Sequence, residues 1–217
     1  MKTKFLTLAC FFALVTITGC KKDKANEAAT GDAEKVTVAE KSAQKFKVNT
    51  DSSIEWKGFK PTGSHNGTIA VESGVFTLTD GKIQSGTFII DMNSIVVTDI
   101  PAEEEGNASL TGHLKSGDFF NVEQFPNAAF EVTGMETKDG NAMLSGNLKL
   151  KDKQNNITFP VTVSEQGDEI SITSEKFTID RSKWDVKYGS KSFFDDLGDK
   201  FINDDIELKI NLTAKKA

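Results

Sequence analysis

Alternation of apolar and polar residues runs along most of the chain and predicts β-strands. The last segment shows it most clearly, because Ile206, Leu208, Ile210 and Leu212 alternate with charged and polar residues. The same period of two predicts strands over residues 54–60, 68–78, 83–92, 128–135, 142–151, 157–163 and 170–179. Turn-forming stretches such as Lys138-Asp139-Gly140-Asn141 separate them. Short strands at this spacing are typical of an all-β barrel or sandwich.

Two segments lack this alternation and predict short helices. Residues 108–116 carry Leu110 and Leu114 four positions apart, which places both on one face of a helix. Residues 195–203 are the second candidate. A short helix between two strands can close the end of a barrel.

The N-terminus has the features of an export signal. Lys2 and Lys4 precede an apolar run over residues 5–17, which is too short to span a bilayer, since that takes about 20 residues. The run ends in Ile17-Thr18-Gly19-Cys20, and small residues before a cysteine resemble the bacterial lipobox. We therefore predict a lipoprotein signal peptide over residues 1–19 and lipidation of Cys20. Two buried acyl chains would give a stable membrane anchor.

Composition divides the rest of the chain into a tether and one domain. Residues 20–45 are rich in Lys, Asp, Glu, Ala and Thr without apolar periodicity, so we expect a disordered tether there. Residues 46–217 are enough to bury a core as a single domain. Cys10 lies within the signal and lipidation would consume Cys20, which leaves no thiol for a disulfide or a cysteine-based metal site.

The charge of the chain argues against nucleic acid as a partner. The formal net charge is −6, and removal of residues 1–19 takes away Lys2 and Lys4 and no acidic residue, which gives −8. Binding to phosphate backbones needs a basic surface. We therefore expect no nucleic-acid ligand, and the acidic surface serves solubility.

The strand pattern leaves open what fills the interior. A transmembrane barrel, with its apolar face outward and its interior polar, would also fit the alternation. Lipidation at Cys20 would then be redundant and no aromatic girdle is evident, so we favour an apolar interior. Eight strands enclose just enough space for side chains or one small ligand. Of the 16 phenylalanines, the 13 outside the predicted signal could line a pocket or fill a core, and composition does not distinguish the two.

Candidate chemistry is sparse. His65 and His113 are the only histidines and show no metal-type spacing, whereas a zinc site needs three or four ligands. No Gly-x-Ser-x-Gly nucleophile elbow occurs. Arg181 follows Asp180 at the end of a predicted strand, and we expect it to pair with a carboxylate and lock the barrel end. Contact with a ligand head group is the alternative role for Arg181. We predict no catalytic residue and no metal ligand.

Several segments resemble, in order, the YceI-like family of lipid- or polyisoprenoid-binding proteins. The resemblance covers about residues 46–214, and no single segment is diagnostic. The matching segments are Trp56-Lys57-Gly58, residues 63–68, residues 86–95, residues 110–116 with Asp118-Phe119-Phe120, residues 125–130, residues 146–150, Phe159-Pro160-Val161 and residues 177–181.

This resemblance implies an extended, lipocalin-like antiparallel β-barrel of about eight strands around an elongated apolar tunnel. It also implies a carrier or sequestering role without catalysis, and no cofactor apart from a bound isoprenoid lipid. His65, His113, Asp180 and Arg181 would then stand at the pocket mouth or in its frame. The candidate tunnel residues are Ile54, Trp56, Phe76, Phe88, Ile90, Phe130, Leu148, Phe159, Phe177 and Leu208.

The expected ligand is a long-chain isoprenoid, either quinone-like or prenol-like, or a similar amphiphilic lipid. The run Glu103-Glu104-Glu105 would disfavour acidic head groups if it borders the mouth. Two alternatives stay open: an enzyme acting on lipid-linked substrates, and a structural or stress-response envelope protein with a filled core. We expect an exported protein held to the membrane by acylated Cys20. No Asp follows Cys20 directly, which favours the outer membrane, facing the periplasm or exposed at the surface.

Overall fold

The computed structural model of the chain describes residues 27–217. Within this part, no helix combines the length and the apolar character needed to cross a membrane. Short 3-10 turns cover Met92–Ser94, Arg181–Trp184 and Gly198–Lys200. In chain order, the strands and the α-helix are β1 Ala29–Asp32, β2 Gln44–Val48, β3 Ser53–Lys60, β4 Gly63–Thr79, β5 Lys82–Asp91, β6 Val96–Val97, α1 Glu105–Lys115, β7 Asn127–Lys138, β8 Asn141–Leu150, β9 Lys153–Gln166, β10 Glu169–Ser174, β11 Phe177–Asp180 and β12 Asp205–Lys216.

Eight of the strands close into an antiparallel ring. Neighbours follow the order β9, β10, β12, β2, β4, β5, β7 and β8, and β8 pairs again with β9. The all-β fold that the alternation predicted, and the antiparallel arrangement of about eight strands that the resemblance implied, are thereby confirmed. The helix predicted over residues 108–116 is also present, as α1.

The other strands extend the ring at one end. Along β12, the partner changes from β2 to β3 on one side and from β10 to β11 on the other. Along β4, β3 continues the edge that β2 leaves, because Ser53 pairs with Ala70 whereas Lys47 pairs with Val75. The short β6 pairs with β4 near Gly67. At this end of the ring, β3 and β11 therefore replace β2 and β10 beside β12.

Inward-facing apolar residues form one continuous core inside the ring. On β8, Leu144 and Leu150 are buried, and on β9 Ile157, Phe159 and Val161 are buried, as the period of two predicts. The polar residues between them face outward. This burial provides the main stabilisation of the fold, at roughly 25 cal/mol per Å² of apolar surface removed from water.

The prediction of a disordered tether over residues 20–45 is wrong for residues 27–37. β1 pairs antiparallel with β9, from Ala29 opposite Thr158 to Asp32 opposite Asn155. Just before β1, the Ala28 N–H donates to the Thr178 carbonyl of β11 at 2.9 Å. β1 therefore lies between β9 and β11, where β10 has ended. Backbone pairing holds this polar segment, and such pairing leaves no apolar periodicity in the sequence.

The chain then crosses the outer face of β8 and β7. The Glu34 N–H donates to Asn147 Oδ1 at 2.9 Å, and Asn147 Nδ2 donates back to the Glu34 carbonyl at 2.7 Å. Asn156 Nδ2 also donates to Asn147 Oδ1. The Thr37 N–H donates to the Val132 carbonyl. We call residues 27–37 the strap; it buries Asn147 and Asn156 on the outside of the ring. The predicted signal and Cys20 lie outside the described residues.

Two further predictions need correction. The strand predicted over residues 170–179 is two strands, β10 and β11, with Glu175 and Lys176 between them. The Ser174 hydroxyl accepts the Ile210 N–H at 2.8 Å, so a side chain replaces the backbone ladder where β10 ends. The helix predicted over residues 195–203 is reduced to the 3-10 turn Gly198–Lys200, because Asp196 and Gly198 have positive φ angles (61° and 53°) incompatible with a continuous helix.

Candidate functional site

A cavity of about 310 Å³ lies inside the ring at the end extended by β3 and β11. It reaches the surface beside Lys60, Ser64, His65 and His113, which are exposed or half-buried, and we call this opening the mouth. Most of its wall is apolar, and the strands, the helix and the loops contribute to it. The apolar residues that line it are Ile54, Trp56, Phe59, Ile69, Ile90, Met92, Ile95, Leu110, Leu114, Phe119, Phe120, Ala128, Leu148, Leu150, Ile179, Ile202, Ile206 and Leu208.

The predicted tunnel residues fall into three groups. Those that line the cavity are Ile54, Trp56, Ile90, Leu148 and Leu208. Phe88, Phe130, Phe159 and Phe177 instead line a smaller chamber of about 70 Å³, which shares Ile54, Ile90 and Leu208 with the cavity. Phe76 lines neither space and is 1% exposed, so the expectation that it faces a tunnel is wrong. The interior is thus open at one end and filled with side chains at the other. It combines the tunnel and the filled core that the sequence left as alternatives.

Much of the cavity wall comes from outside the strands that the alternation predicted. Leu110 and Leu114 project from α1, and Phe119 and Phe120 follow it. Their signal in the sequence was the spacing of the two leucines, which indicated a helix at a barrel end. Ile202, in the long segment before β12, has no periodic neighbours that could have indicated its position.

Both histidines line the mouth, and each is paired with an aspartate. His65 Nδ1 lies 2.9 Å from Asp99 Oδ2, and His113 Nε2 lies 3.1 Å from Asp118 Oδ2. The His113 ring also packs edge-on against Phe119 and Tyr188. The two side chains therefore stand at the pocket mouth.

Hydrogen bonds shift the acidity of Asp99. Burial alone would raise the pKa of Asp99, but its carboxylate accepts the Asn66 N–H at 2.9 Å as well as the bond with His65. Together these hydrogen bonds lower the pKa of Asp99 below its usual range. Asp99 therefore holds the start of β4, which carries His65 and Asn66, against the segment that follows β6.

Arg181 ties the long segment 182–204 to the ring. Its guanidinium is 2% exposed and donates to the carbonyls of Val186, Tyr188, Ile202 and Asn203, at 2.6 to 3.2 Å. Asp204 Oδ1 lies 3.6 Å from Nη2. Burial lowers the pKa of Arg181, and the charges of Asp204 and Asp180 oppose that shift. Arg181 thus contacts four carbonyl groups and one carboxylate, all of them in the segment 182–204.

Asp180 does not form this ion pair. Its carboxylate accepts the Ser182 N–H at 2.9 Å and the Ser182 hydroxyl at 2.6 Å, and thereby caps the 3-10 turn Arg181–Trp184. Asp180 is absent from the cavity wall, whereas Arg181 forms part of it. Asp180 is therefore a frame residue that fixes the turn on which Arg181 stands.

The profile of the YceI-like domain matches residues 30–214. The chain belongs to the YceI-like family. This confirms the family resemblance seen in the sequence. The matched region begins inside β1, well before residue 46, in agreement with the strap being part of the YceI-like fold. Comparison with curated protein sequences finds no match.

Solved structures show the same fold at low sequence identity. BcnA of Burkholderia cenocepacia is 20% identical, with a TM-score of 0.59 over 77% of this chain and 100% of BcnA. A polyisoprenoid-binding domain from Saccharophagus degradans implicated in plant cell wall breakdown is 13% identical, with a TM-score of 0.56 over 79% of this chain and 98% of that domain. At these identities the likeness establishes the YceI-like architecture alone.

One polar group in the cavity wall has no partner within the described residues. The Trp56 indole Nε1 is buried and makes no hydrogen bond. The indole lies against Gly67, where an added Cβ would stand 2.8 Å from Trp56 Cζ2. A buried, unpaired N–H costs free energy.

The three glutamates do not border the mouth of this YceI-like domain. Glu103, Glu104 and Glu105 are exposed around the start of α1, and none of them lines the cavity. Their charges interact favourably with the N-terminal end of the helix dipole. The hypothesis that they exclude acidic head groups therefore loses its structural basis.

Between residues 27 and 217, no three side chains of His, Cys, Asp or Glu are arranged to hold a metal ion.

Proposed function

We propose that the protein binds the hydrocarbon chain of an isoprenoid or similar amphiphilic lipid in its cavity, for carriage or sequestration at the cell envelope. The observation that carries the proposal is the apolar cavity, open at one end of a closed ring. Its volume of about 310 Å³ lies at the lower end of the ~300–1,000 Å³ typical of small-molecule sites. The polyisoprenoid-binding domain from Saccharophagus degradans has the same fold.

The wall matches the chemistry of such a ligand. A prenyl chain offers only apolar surface, and its burial would contribute about 25 cal/mol per Å² before ordering costs. Polar groups gather at the mouth, where Ser64, His65 and His113 stand. A ligand would therefore lie with its chain inside and its polar end near these residues.

The strap brings the domain close to the proposed membrane anchor. Only residues 21–26 separate Cys20 from Glu27, whose backbone bridges to Thr178. Six residues span at most ~22 Å, however they are arranged. If Cys20 is acylated, the domain stands near the membrane surface, which suits exchange of a lipid with the bilayer.

The test is the identity of the lipid that the protein retains. Full-length wild-type protein and the Gly58→Phe variant would be purified from the native envelope and extracted with organic solvent for mass spectrometry. Gly58 lines the cavity and an added Cβ there meets no atom within 4 Å, so the phenyl ring can enter the cavity without a backbone clash.

We expect about one isoprenoid per wild-type molecule and much less in Gly58→Phe. The matched control is Gly134→Phe, on β7 and away from the cavity, where a Cβ also meets nothing within 4 Å. An empty wild-type extract, or equal lipid in all three proteins, would refute the proposal.

A further inference from the structure

Six phenylalanines form a continuous belt around the inside of the ring. Neighbouring rings lie 4.4 to 6.3 Å apart between centroids, and each is at most 8% exposed. The closest pair, Phe159 and Phe177, stacks with an angle of 7° between ring planes. In order of contact, the phenylalanine belt consists of Phe46, Phe76, Phe88, Phe130, Phe159 and Phe177.

The belt separates the cavity from the filled end of the ring. None of its members lines the cavity, but Phe88, Phe130, Phe159 and Phe177 line the chamber of about 70 Å³. That chamber continues to Leu144, Ile172 and Leu212, which are buried beyond the belt. A chain entering from the mouth therefore meets these four rings at the inner end of the cavity.

Glycines on adjacent strands fix the belt against the wall. A Cβ on Gly74 would lie 2.9 Å from the Phe88 ring, and a Cβ on Gly146 would lie 2.2 Å from the Phe130 ring. Each ring thus fills the space that a side chain on the neighbouring strand would otherwise occupy. Since backbone lies directly behind them, these two rings cannot move outward to admit a longer chain.

We propose that the phenylalanine belt limits the length of hydrocarbon chain that the cavity accepts, an inference that rests on the proposed lipid binding. Phe88, Phe130, Phe159 and Phe177 set the limit, because they line the small chamber that adjoins the cavity at Ile54, Ile90 and Leu208. A short prenyl chain is buried along its whole length in the cavity. A longer chain leaves its excess carbons in water at the mouth, and therefore gains nothing from its extra length.

The test compares chain-length preference in two matched variants. Phe159→Leu removes a ring from the chamber, whereas Phe76→Leu makes the same change in a belt residue that lines neither space. The exported chain, residues 20–217 with Cys20→Ser, would be offered an equimolar mixture of farnesol and geranylgeraniol, which differ by one isoprene unit. Native mass spectrometry would count each bound alcohol, and thermal unfolding would verify that both variants fold.

We expect the wild type and Phe76→Leu to bind the two alcohols in similar proportions. Phe159→Leu should shift the ratio toward geranylgeraniol by about tenfold, because a few more carbons become buried. An unchanged ratio in Phe159→Leu, or the same shift in Phe76→Leu, would overturn the belt as the length limit. Binding of neither alcohol by the wild type would instead refute the proposed function, and the length limit with it.

Discussion

The ring of Phe130 on β7 lies directly over Gly146 on β8. A Cβ at Gly146 would stand 2.2 Å from Phe130 Cζ, a distance that no real pair of carbon atoms keeps without displacement. Glycine inside a strand usually weakens it, but here the aromatic ring covers the bare backbone. This contact fixes one position of the phenylalanine belt.

Replacement of Gly146 by alanine should destabilise the protein through overpacking. We expect a loss of about 1–3 kcal/mol in the free energy of unfolding, since the Phe130 ring must leave its position. Urea denaturation would measure it. Gly134→Ala, on the strand that carries Phe130 and with no atom within 4 Å of its Cβ, is the control and should change stability little. If Phe130→Leu fails to relieve the cost of Gly146→Ala in the double variant, the contact is not its cause.

Arg181→Met should loosen the segment 182–204 without unfolding the ring. The substitution leaves the carbonyls of Val186, Tyr188, Ile202 and Asn203 without the donor that joins them, at a cost of about 3 kcal/mol or more. Limited proteolysis should cut this segment faster in the variant, as seen by mass spectrometry of the fragments. Lys187→Met, which removes an exposed ion pair with Asp185, is the matched control. Equal protection of the two variants would argue against the anchoring role.

Removal of the strap should weaken the domain. A chain that starts at residue 38 lacks β1 and leaves Asn147 without its two hydrogen bonds to Glu34, so we expect it to lose about 3 kcal/mol or more relative to a chain that starts at residue 27. Thermal unfolding of the two proteins gives the comparison. A chain of residues 20–217 with Cys20→Ser serves as the reference, and equal midpoints for all three would restore the interpretation of residues 27–37 as a tether.

Asp99 should contribute stability that disappears in acid. Because the folded-state pKa of Asp99 is lowered, its contribution is complete above the unfolded-state pKa of about 3.9 and is lost as the pH falls through the folded-state value. The difference in unfolding free energy between wild type and Asp99→Asn should therefore shrink as the pH falls below about 4. Denaturation at a series of pH values would show this. A difference that grows toward acid pH would contradict the assigned direction.

The strands and the short helix could be predicted because the apolar period reports burial directly. Two features of the sheet, β1 and the break between β10 and β11, were not predicted. β1 is held by backbone pairing with Asn155–Thr158 and by Asn147, which leave no apolar pattern. The break between β10 and β11 did leave a signal, since the inward positions shift from Ile172 to Phe177, an odd number of residues, and an unbroken strand cannot make that shift.

The site could be predicted only in part. Residues on strands near the mouth, such as Ile54 and Leu208, were found because alternation gives the inward face. Alternation does not give depth along the ring, so the buried Phe76 could not be distinguished from a cavity residue. Nor could the sequence show that Ile202 reaches the cavity, because its segment is positioned by Arg181 through backbone carbonyls.

The most direct test of lipid binding is a titration of residues 20–217, with Cys20→Ser, by farnesol, followed through the fluorescence of Trp56 in the cavity wall. The second tryptophan, Trp184, is fully buried, and its indole N–H donates to the Leu148 carbonyl. The Trp56→Phe variant gives the fluorescence of Trp184 alone. We predict a saturable change in the wild type, lost in Trp56→Phe, with the affinity at least about tenfold weaker in Gly58→Phe, where the cavity is filled. No saturable change in the wild type, or equal affinity in Gly58→Phe, would contradict the assignment of the cavity as the lipid site.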